Sequence, residues 1–264
     1  MIWKGKKEKL STISVVLIVK NESAHLRECL NTVSWADEIV IVDSGSSDDT
    51  CKIAAEYTDK VYIETDWQGF GIQRQRAQQY ARCDWVMMLD ADERITPELA
   101  EEIKQVIADN NQVYVYSVPR LSYVFGRFIR HAGWYPDYVT RLYPRGKAAY
   151  NANRVHEKLE FSDGLAEKKL SGDLLHYTYR DMEHYLVKSA NYAAEWAQQR
   201  KANGKNSSLL QGVLHGFSCF IKMYIVRAGF LDGKQGFLLS VLSAHSTFVK
   251  YADLWVRSQN AEFK

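Results

Sequence analysis

Short apolar blocks punctuate the first third of the chain, and each gives way to a polar cluster and then to residues at helical spacing. Ile13-Ser-Val-Val-Leu-Ile-Val19, Glu38-Ile-Val-Ile-Val42, Val61-Tyr-Ile63 and Trp85-Val-Met-Met-Leu89 are the blocks. Unbroken Val/Ile/Leu runs of this length predict strands covered on both faces. Between them, Leu26, Cys29, Leu30 and Val33 recur at helical spacing. Ile53, Ala54 and Tyr57 mark the inner face of a second helix that Ser46 or Ser47 can cap. A polar helix is expected over 69–82. Strand–helix repetition of this kind predicts a parallel α/β sheet.

The pattern then changes. Thr96 and Pro97 announce a helix whose buried stripe is Leu99, Ile103, Val106 and Ile107. Residues 113–118 and 138–144 read as further strands, with an irregular aromatic and basic segment, 123–135, between them. From 181 the period is helical, with Met182, Tyr185, Leu186, Tyr192, Ala193 and Trp196 expected on one face. Residues 203–208 form a turn or linker. The tail over 209–258 is apolar and aromatic with scattered bases, as in helices that lie in a membrane interface; packing on the domain core would produce the same stripe. The expected organisation is a basic leader over 1–12, an α/β domain over 13–180 with halves 13–110 and 111–180, and a helical extension over 181–264.

Ligands of parallel α/β sheets bind beyond the carboxyl ends of the strands. Asn21 and Glu22, Asp43, and Asp90 with Asp92 all stand just past strand ends. A strand puts successive side chains on opposite faces, so Asp90 and Asp92 share a face and point the same way. Two like charges there repel unless a cation intervenes, and hard carboxylate oxygens suit Mg or Mn carrying a phosphorylated ligand. Acidic residues also end many strands without binding anything, so the convergence of three strands says more than the Asp-x-Asp alone.

Composition narrows the classes. The 264 residues are 46% hydrophobic and 12% aromatic, enough for a substantial core, with a net charge of +2. No basic, aromatic-interleaved module points to nucleic acid. Cys29, Cys51, Cys83 and Cys219 are dispersed, so neither a zinc site nor a disulfide framework is expected, and reduced thiols in the cytosol are. The apolar run at 13–19 is too short for a signal peptide and lacks a cleavage site. No stretch reaches about 18 uncharged apolar residues, so a spanning helix is not expected. Lys20-Asn-Glu22 occupies the place where a dehydrogenase would carry Gly-x-Gly-x-x-Gly and a nucleotidyltransferase a glycine-rich loop.

Three phrases in order, Ser14-Val-Val-Leu-Ile-Val-Lys-Asn-Glu22, Val40-Ile-Val-Asp43-Ser-Gly-Ser-Ser-Asp48 and Leu89-Asp-Ala-Asp92-Glu93, carry a family likeness over residues 13 to 110. The chain resembles family 2 glycosyltransferases, which implies a GT-A-type nucleotide-sugar-binding domain with a mostly parallel sheet, here with a helical C-terminal extension. Arg141-Leu-Tyr, Val155-His-Glu157 and the aromatic tail are similar to a narrower branch, the bacterial lipopolysaccharide core glucosyltransferases that add β-glucose to an inner-core heptose.

The resemblance implies inverting, metal-dependent transfer of a hexose, glucose in that branch, from a UDP-sugar. Asp43 would meet the uracil ring, with Asn21 and Glu22 in the same pocket, Asp90 at the ribose and metal shell, and Asp92 as direct ligand of Mg or Mn. Arg74 would touch the diphosphate or simply lie on a solvated helix face. The family's usual acidic pair on the acceptor side is missing, which leaves Glu157 as candidate base, His156 as its neighbour or a metal ligand, and Asp137 as rival base. Trp134, Tyr135 and Tyr138 offer a platform for the acceptor, and Arg127, Arg130, Arg141 and Arg145 partners for its phosphates. The partners implied are a UDP-sugar, a lipopolysaccharide core acceptor and the cytoplasmic face of the bacterial inner membrane. Capsule or O-antigen intermediates, or a peptide, are alternative acceptors, and a non-catalytic sugar- or membrane-binding module is the alternative of another class.

Overall fold

The computed structural model describes residues 11–153, 157–179 and 181–259. Most of the expected leader and His156 lie outside the described residues. The chain divides into two compact units, one running to Arg120 and resuming over Asp137–His176, the other made of Leu121–Pro136 and the chain from Tyr177.

In the first unit the apolar blocks form strands β1 (Ile13–Val19), β2 (Glu38–Asp43), β3 (Val61–Ile63) and β4 (Trp85–Leu89). They lie in the order β3-β2-β1-β4, all parallel. Helices α1 (Leu26–Asn31), α2 (Thr50–Ala55) and α3 (Phe70–Tyr80) connect them. Alternation along the strands feeds two cores. Val15, Leu17, Met87 and Leu89 pack with Leu26, Cys29 and Leu30 of α1. Val16, Val40, Val86 and Met88 pack with Ala77 of α3. Both faces are dry, which is why these strands read as continuous rather than alternating runs.

Helix α2 starts later than the serine caps imply. Ser46 and Ser47 are bonded to Asp43 and Asn21 instead, and no side chain caps the helix.

After β4 come the short strand β5 (Glu93–Ile95) and helix α4 (Pro97–Asp109), whose cap is Thr96, accepting from the Leu99 N–H at 3.3 Å. Strand β6 (Tyr114–Val124) extends well past 118 and passes from the first unit to the second at Arg120. In the second unit it pairs with β7 (Arg127–Phe128). Strand β8 (Asp137–Pro144) runs antiparallel to both β4 and β6. A hairpin of β9 (Ala148–Tyr150) and β10 (Leu159–Phe161) follows, then β11 (Ala166–Lys169), parallel to β6, and β12 (Leu174–His176), antiparallel to β5. The sheet is thus mixed, with a parallel N-terminal half.

The second unit is mainly helical: α5 (Met182–Ala202), α6 (Leu209–Phe220) and α7 (Gly233–Gln259). Its small core joins Val124, Ile129, Tyr185 and Leu239. The inner face of α5 differs from the expected one. Tyr185, Ala193 and Ala197 are buried, whereas Met182, Leu186 and Tyr192 are exposed. Ser208 and Gln211 form a capping box that starts α6. A π-helical segment, Ile221–Val226, continues α6 without a break. The resulting 18-residue helix, Leu209–Val226, is long and apolar enough to cross a membrane by length and composition. This corrects the expectation that no such stretch exists; Lys222 interrupts the apolar run without interrupting the helix.

Candidate active site

The loops after β1 and β2 are laced together. Asn21 sits at φ 55, and its Oδ1 accepts from the Ser47 N–H at 2.8 Å while its own N–H donates to Ser46 Oγ at 2.8 Å. The Glu22 N–H donates to Thr50 Oγ1 at 2.8 Å, and the Ser23 N–H to Asp48 Oδ2 at 3.1 Å. Asp43 is buried at the turn. Its Oδ1 accepts from the Gly45 and Ser46 N–H groups, both at 2.8 Å, and its Oδ2 from the Ser46 hydroxyl. Gln73 on α3 donates to Ser44 Oγ and to the Glu64 carbonyl, each at 3.0 Å, bracing the rim.

The Asp-x-Asp segment is a turn and not an extension of β4. The Glu93 N–H closes onto the Asp90 carbonyl at 2.9 Å, and the Asp90 N–H donates to Glu93 Oε2 at 3.0 Å. The alternation argument therefore does not hold past Leu89. Ala91 points inward, and the two aspartates meet different partners. Asp90 is gripped by Arg74 of α3 at 2.7 Å and by Arg141 of β8 at 2.5 Å. Arg74 also holds Glu157 through Nε at 3.0 Å, and Arg141 reaches Glu93 at 2.6 Å. Glu93 lies 4.0 Å from Arg120, which binds Asp137 at 2.6 Å. Carboxylates and guanidiniums thus alternate from Glu157 through Arg74, Asp90, Arg141, Glu93 and Arg120 to Asp137.

Charge placement inside this network is uneven. Burial pushes the Asp90 pKa up, but Arg141 and then Arg74 outweigh it and hold the carboxyl well below the usual range. Glu93 is fully buried, and burial raises its pKa despite the opposing Arg141, with Asp90 adding to the rise. Arg74 stays firmly charged: burial opposes its charge, but Asp90, Tyr150 and Glu157 together outweigh it. The guanidinium of Arg74 also lies 5.3 Å over the Tyr150 ring. Buried Arg74 Nη1 and Arg141 Nε have no hydrogen-bond partner among the described residues. Orphaned buried donors call for a water or a ligand oxygen, not a cation.

Asp92 meets His176. Its Oδ2 is 3.3 Å from His176 Nε2, and the Asp92 side chain retains 30% of its exposure. The pairing of β12 with β5 sets His176 opposite Glu93, which brings the imidazole to the acidic turn. Among the described residues no group of three or more His, Cys, Asp or Glu is arranged to hold a metal by itself. One or two protein ligands are enough where phosphate oxygens and waters complete the shell. Asp92 with His176 fits that requirement; Asp90, committed to two guanidiniums, fits it poorly.

The family model for glycosyl transferase family 2 matches residues 14–163. The chain belongs to glycosyl transferase family 2. An uncharacterised glycosyltransferase of Rickettsia prowazekii is 30% identical to this family 2 glycosyltransferase over 95% of the chain and 90% of the relative. The lipopolysaccharide core biosynthesis glycosyltransferase LpsC of Rhizobium meliloti is 28% identical over 93% and 92%. Among solved structures, S. aureus TarS in complex with UDP aligns at 15% identity over 95% of this chain and 92% of that one, with a TM-score of 0.48. The α/β unit is of the GT-A type, followed by C-terminal helices.

Within this glycosyltransferase, the rim residues Asn21, Glu22 and Asp43 and the cluster of Arg74, Asp90, Asp92 and Glu157 all belong to the first unit. Arg141 does not face outward to an acceptor as expected. It is buried because β8 crosses behind the acidic turn, where Asp90 and Glu93 require its charge. Trp134 and Tyr135 belong to the second unit, where Trp134 packs against Tyr179 and the Arg130 guanidinium lies 5.2 Å over the Tyr135 ring. Tyr138 is exposed under Lys169. The sequence reading missed His176, Glu93 and Arg120 as parts of the site. Leu174-Leu-His176 does carry a signal, an apolar pair ending in a ligand-type residue, but only the β5 pairing gives it a destination.

Proposed function

We propose that this glycosyltransferase moves a hexose, glucose, from a UDP-sugar to a heptose of the lipopolysaccharide inner core, with inversion and with a divalent cation. The observation that supports the cation is the partly buried Asp92–His176 pair, a carboxylate and an imidazole at the acidic turn beside the charge network. Its arginines, Arg74, Arg141 and Arg120, are outnumbered by Asp90, Glu93, Glu157 and Asp137. A diphosphate approaching Asp92 meets a carboxylate there, and Mg or Mn arriving with it would offset that repulsion. Bound there, the cation would act as a Lewis acid that stabilises the leaving UDP.

In this reading the loops laced by Asn21, Asp43 and Ser46 form the uridine wall, with Asp43 shaping the turn. Arg74 positions Asp90 and Glu157, and its spare Nη1 donor suits a donor oxygen. Glu157 is the base that takes the acceptor proton. It shares Arg74 with Asp90, whereas Asp137 stands at the far end of the network, chelated by Arg120. The acceptor assignment follows the likeness to LpsC over nearly the whole of both chains.

Calorimetry of UDP-glucose with the wild type and Asp92→Ala, with and without Mn, tests the donor half. Binding that needs Mn and disappears in Asp92→Ala supports it. Equal binding without metal, or in the variant, refutes the cation's role. Incubation with truncated lipopolysaccharide and NMR of the new anomeric linkage tests the acceptor half, and a product with retained configuration refutes inversion.

A further inference from the structure

Within the helical unit, apolarity is arranged inside out. Helix α6 packs on α7 through its glycines: a Cβ at Gly212 would lie 3.1 Å from Phe248 Cδ2, and one at Gly216 3.0 Å from the Ala244 carbonyl oxygen. Its large side chains point the other way. Leu210, Val213, Leu214, Phe217, Ile221 and Ile225 form an exposed stripe at helical spacing. Leu210 and Phe217 each retain 67% of their surface, and only 17% of the Leu209–Val226 helix is buried. The stripe continues onto Phe230, Leu231 and Phe237 of the segments that pack beside it. A contiguous exposed apolar face of this extent marks an interaction surface.

Charge identifies the occupant. Between residues 205 and 252 the sequence holds a single acid, Asp232. That acid is buried and held by His131 at 3.1 Å, with Arg127 3.8 Å away. The bases Lys205, Lys222, Arg227 and Lys234 in the same stretch are exposed. What faces outward in this stretch is therefore apolar, neutral polar or positive, with no exposed carboxylate to be repelled by an anionic surface. A second copy of this chain would meet a like-charged face. We propose that the α6 stripe lies in the plane of an anionic bilayer, its side chains inserted among the acyl chains near the headgroups and Lys222, Arg227 and Lys234 paired with lipid phosphates. A spanning orientation is disfavoured because the glycine face of α6 is already committed to α7, which carries Lys234, Lys250, Asp253 and Arg257. The inference stands on the helical unit alone and does not depend on the donor or acceptor assignment.

The full chain should co-sediment with vesicles of phosphatidylglycerol and phosphatidylcholine, bind pure phosphatidylcholine at least tenfold more weakly, and be partly released by raised salt. Leu210→Ser/Leu214→Ser/Phe217→Ser should lower the bound fraction at least tenfold. Lys222→Glu/Lys234→Glu should do the same while leaving the apolar stripe intact, and it keeps the test valid should the triple variant misfold. The thermal unfolding midpoint should be unchanged in both. Equal sedimentation of either folded variant overturns the proposal. Resistance of the vesicle-bound protein to alkaline carbonate extraction overturns the in-plane placement in favour of a spanning one. A lipid-independent dimer that the triple variant abolishes, without vesicle binding by the wild type, would reassign the face to a second copy.

Discussion

Replacing Arg141 with Met removes the one guanidinium among the described residues that contacts Asp90 and Glu93 together. Glu93 then loses a partner at 2.6 Å and Asp90 one at 2.5 Å. Glu93 has no compensating access to water, being 0% exposed, and its next cation, Arg120, is 4.0 Å away. Removing one member of a buried pair typically costs 3–5 kcal/mol, so about 4 kcal/mol is expected here. At about 2–4 °C per kcal/mol for a chain of this size, the unfolding midpoint should drop by about 8 °C or more. Thermal unfolding at neutral pH in metal-free buffer measures it. A second variant, Arg141→Met/Glu93→Met, separates charge from packing. If the cost comes from an uncompensated buried carboxylate, the double variant should recover at least half of the lost midpoint. A shift under about 2 °C for Arg141→Met, worth no more than an exposed ion pair, would refute the buried-network account. So would a double variant at least as unstable as the single one.

Two further outcomes follow from the loops. Gly71→Ala should cut UDP-sugar affinity and transfer sharply, because a Cβ at Gly71 would sit 2.0 Å from the Asn151 carbonyl oxygen and push away the loop that leads to Glu157; titration calorimetry and product assay measure it, and unchanged values would refute that contact. At Asp48, burial acts to raise the pKa, but the Thr50 hydroxyl and the Thr50 and Ser23 N–H groups outweigh it and hold the carboxyl well below the usual range. A depressed carboxylate stabilises the fold fully above its unfolded pKa of about 3.9, and that contribution is lost as pH falls through the folded value. Because Asp48 is exposed, Asp48→Asn should be only slightly less stable than wild type at pH 7, and the gap should narrow steadily as melts are run at successively lower pH below about 4; a gap that stays constant over that range refutes the linkage.

The N-terminal half of the sheet was legible because it is local. A short apolar run rich in Val and Ile, bounded by polar clusters, reads as a strand buried on both faces, so β1, β2 and β4 and the rim at Asn21, Asp43 and Asp90 follow from position along the chain. Thr96-Pro97 likewise fixes the start of α4 through a cap that needs no distant partner. The family, too, is written in three short phrases. Tertiary structure decided what those side chains face. Asp90 and Asp92 look equivalent in sequence, yet a turn at Ala91 gives one to Arg74 and Arg141 and the other to His176. Arg141 and His176 reach the acidic turn through antiparallel strands 48 or more residues away, a separation that periodicity cannot register. The same limit hid the segment Leu121–Pro136, which the chain contributes to the helical unit from the middle of β6. It also hid the orientation of α6, whose amphipathic pattern names two faces while only the glycine contacts with α7 say which of them is turned outward.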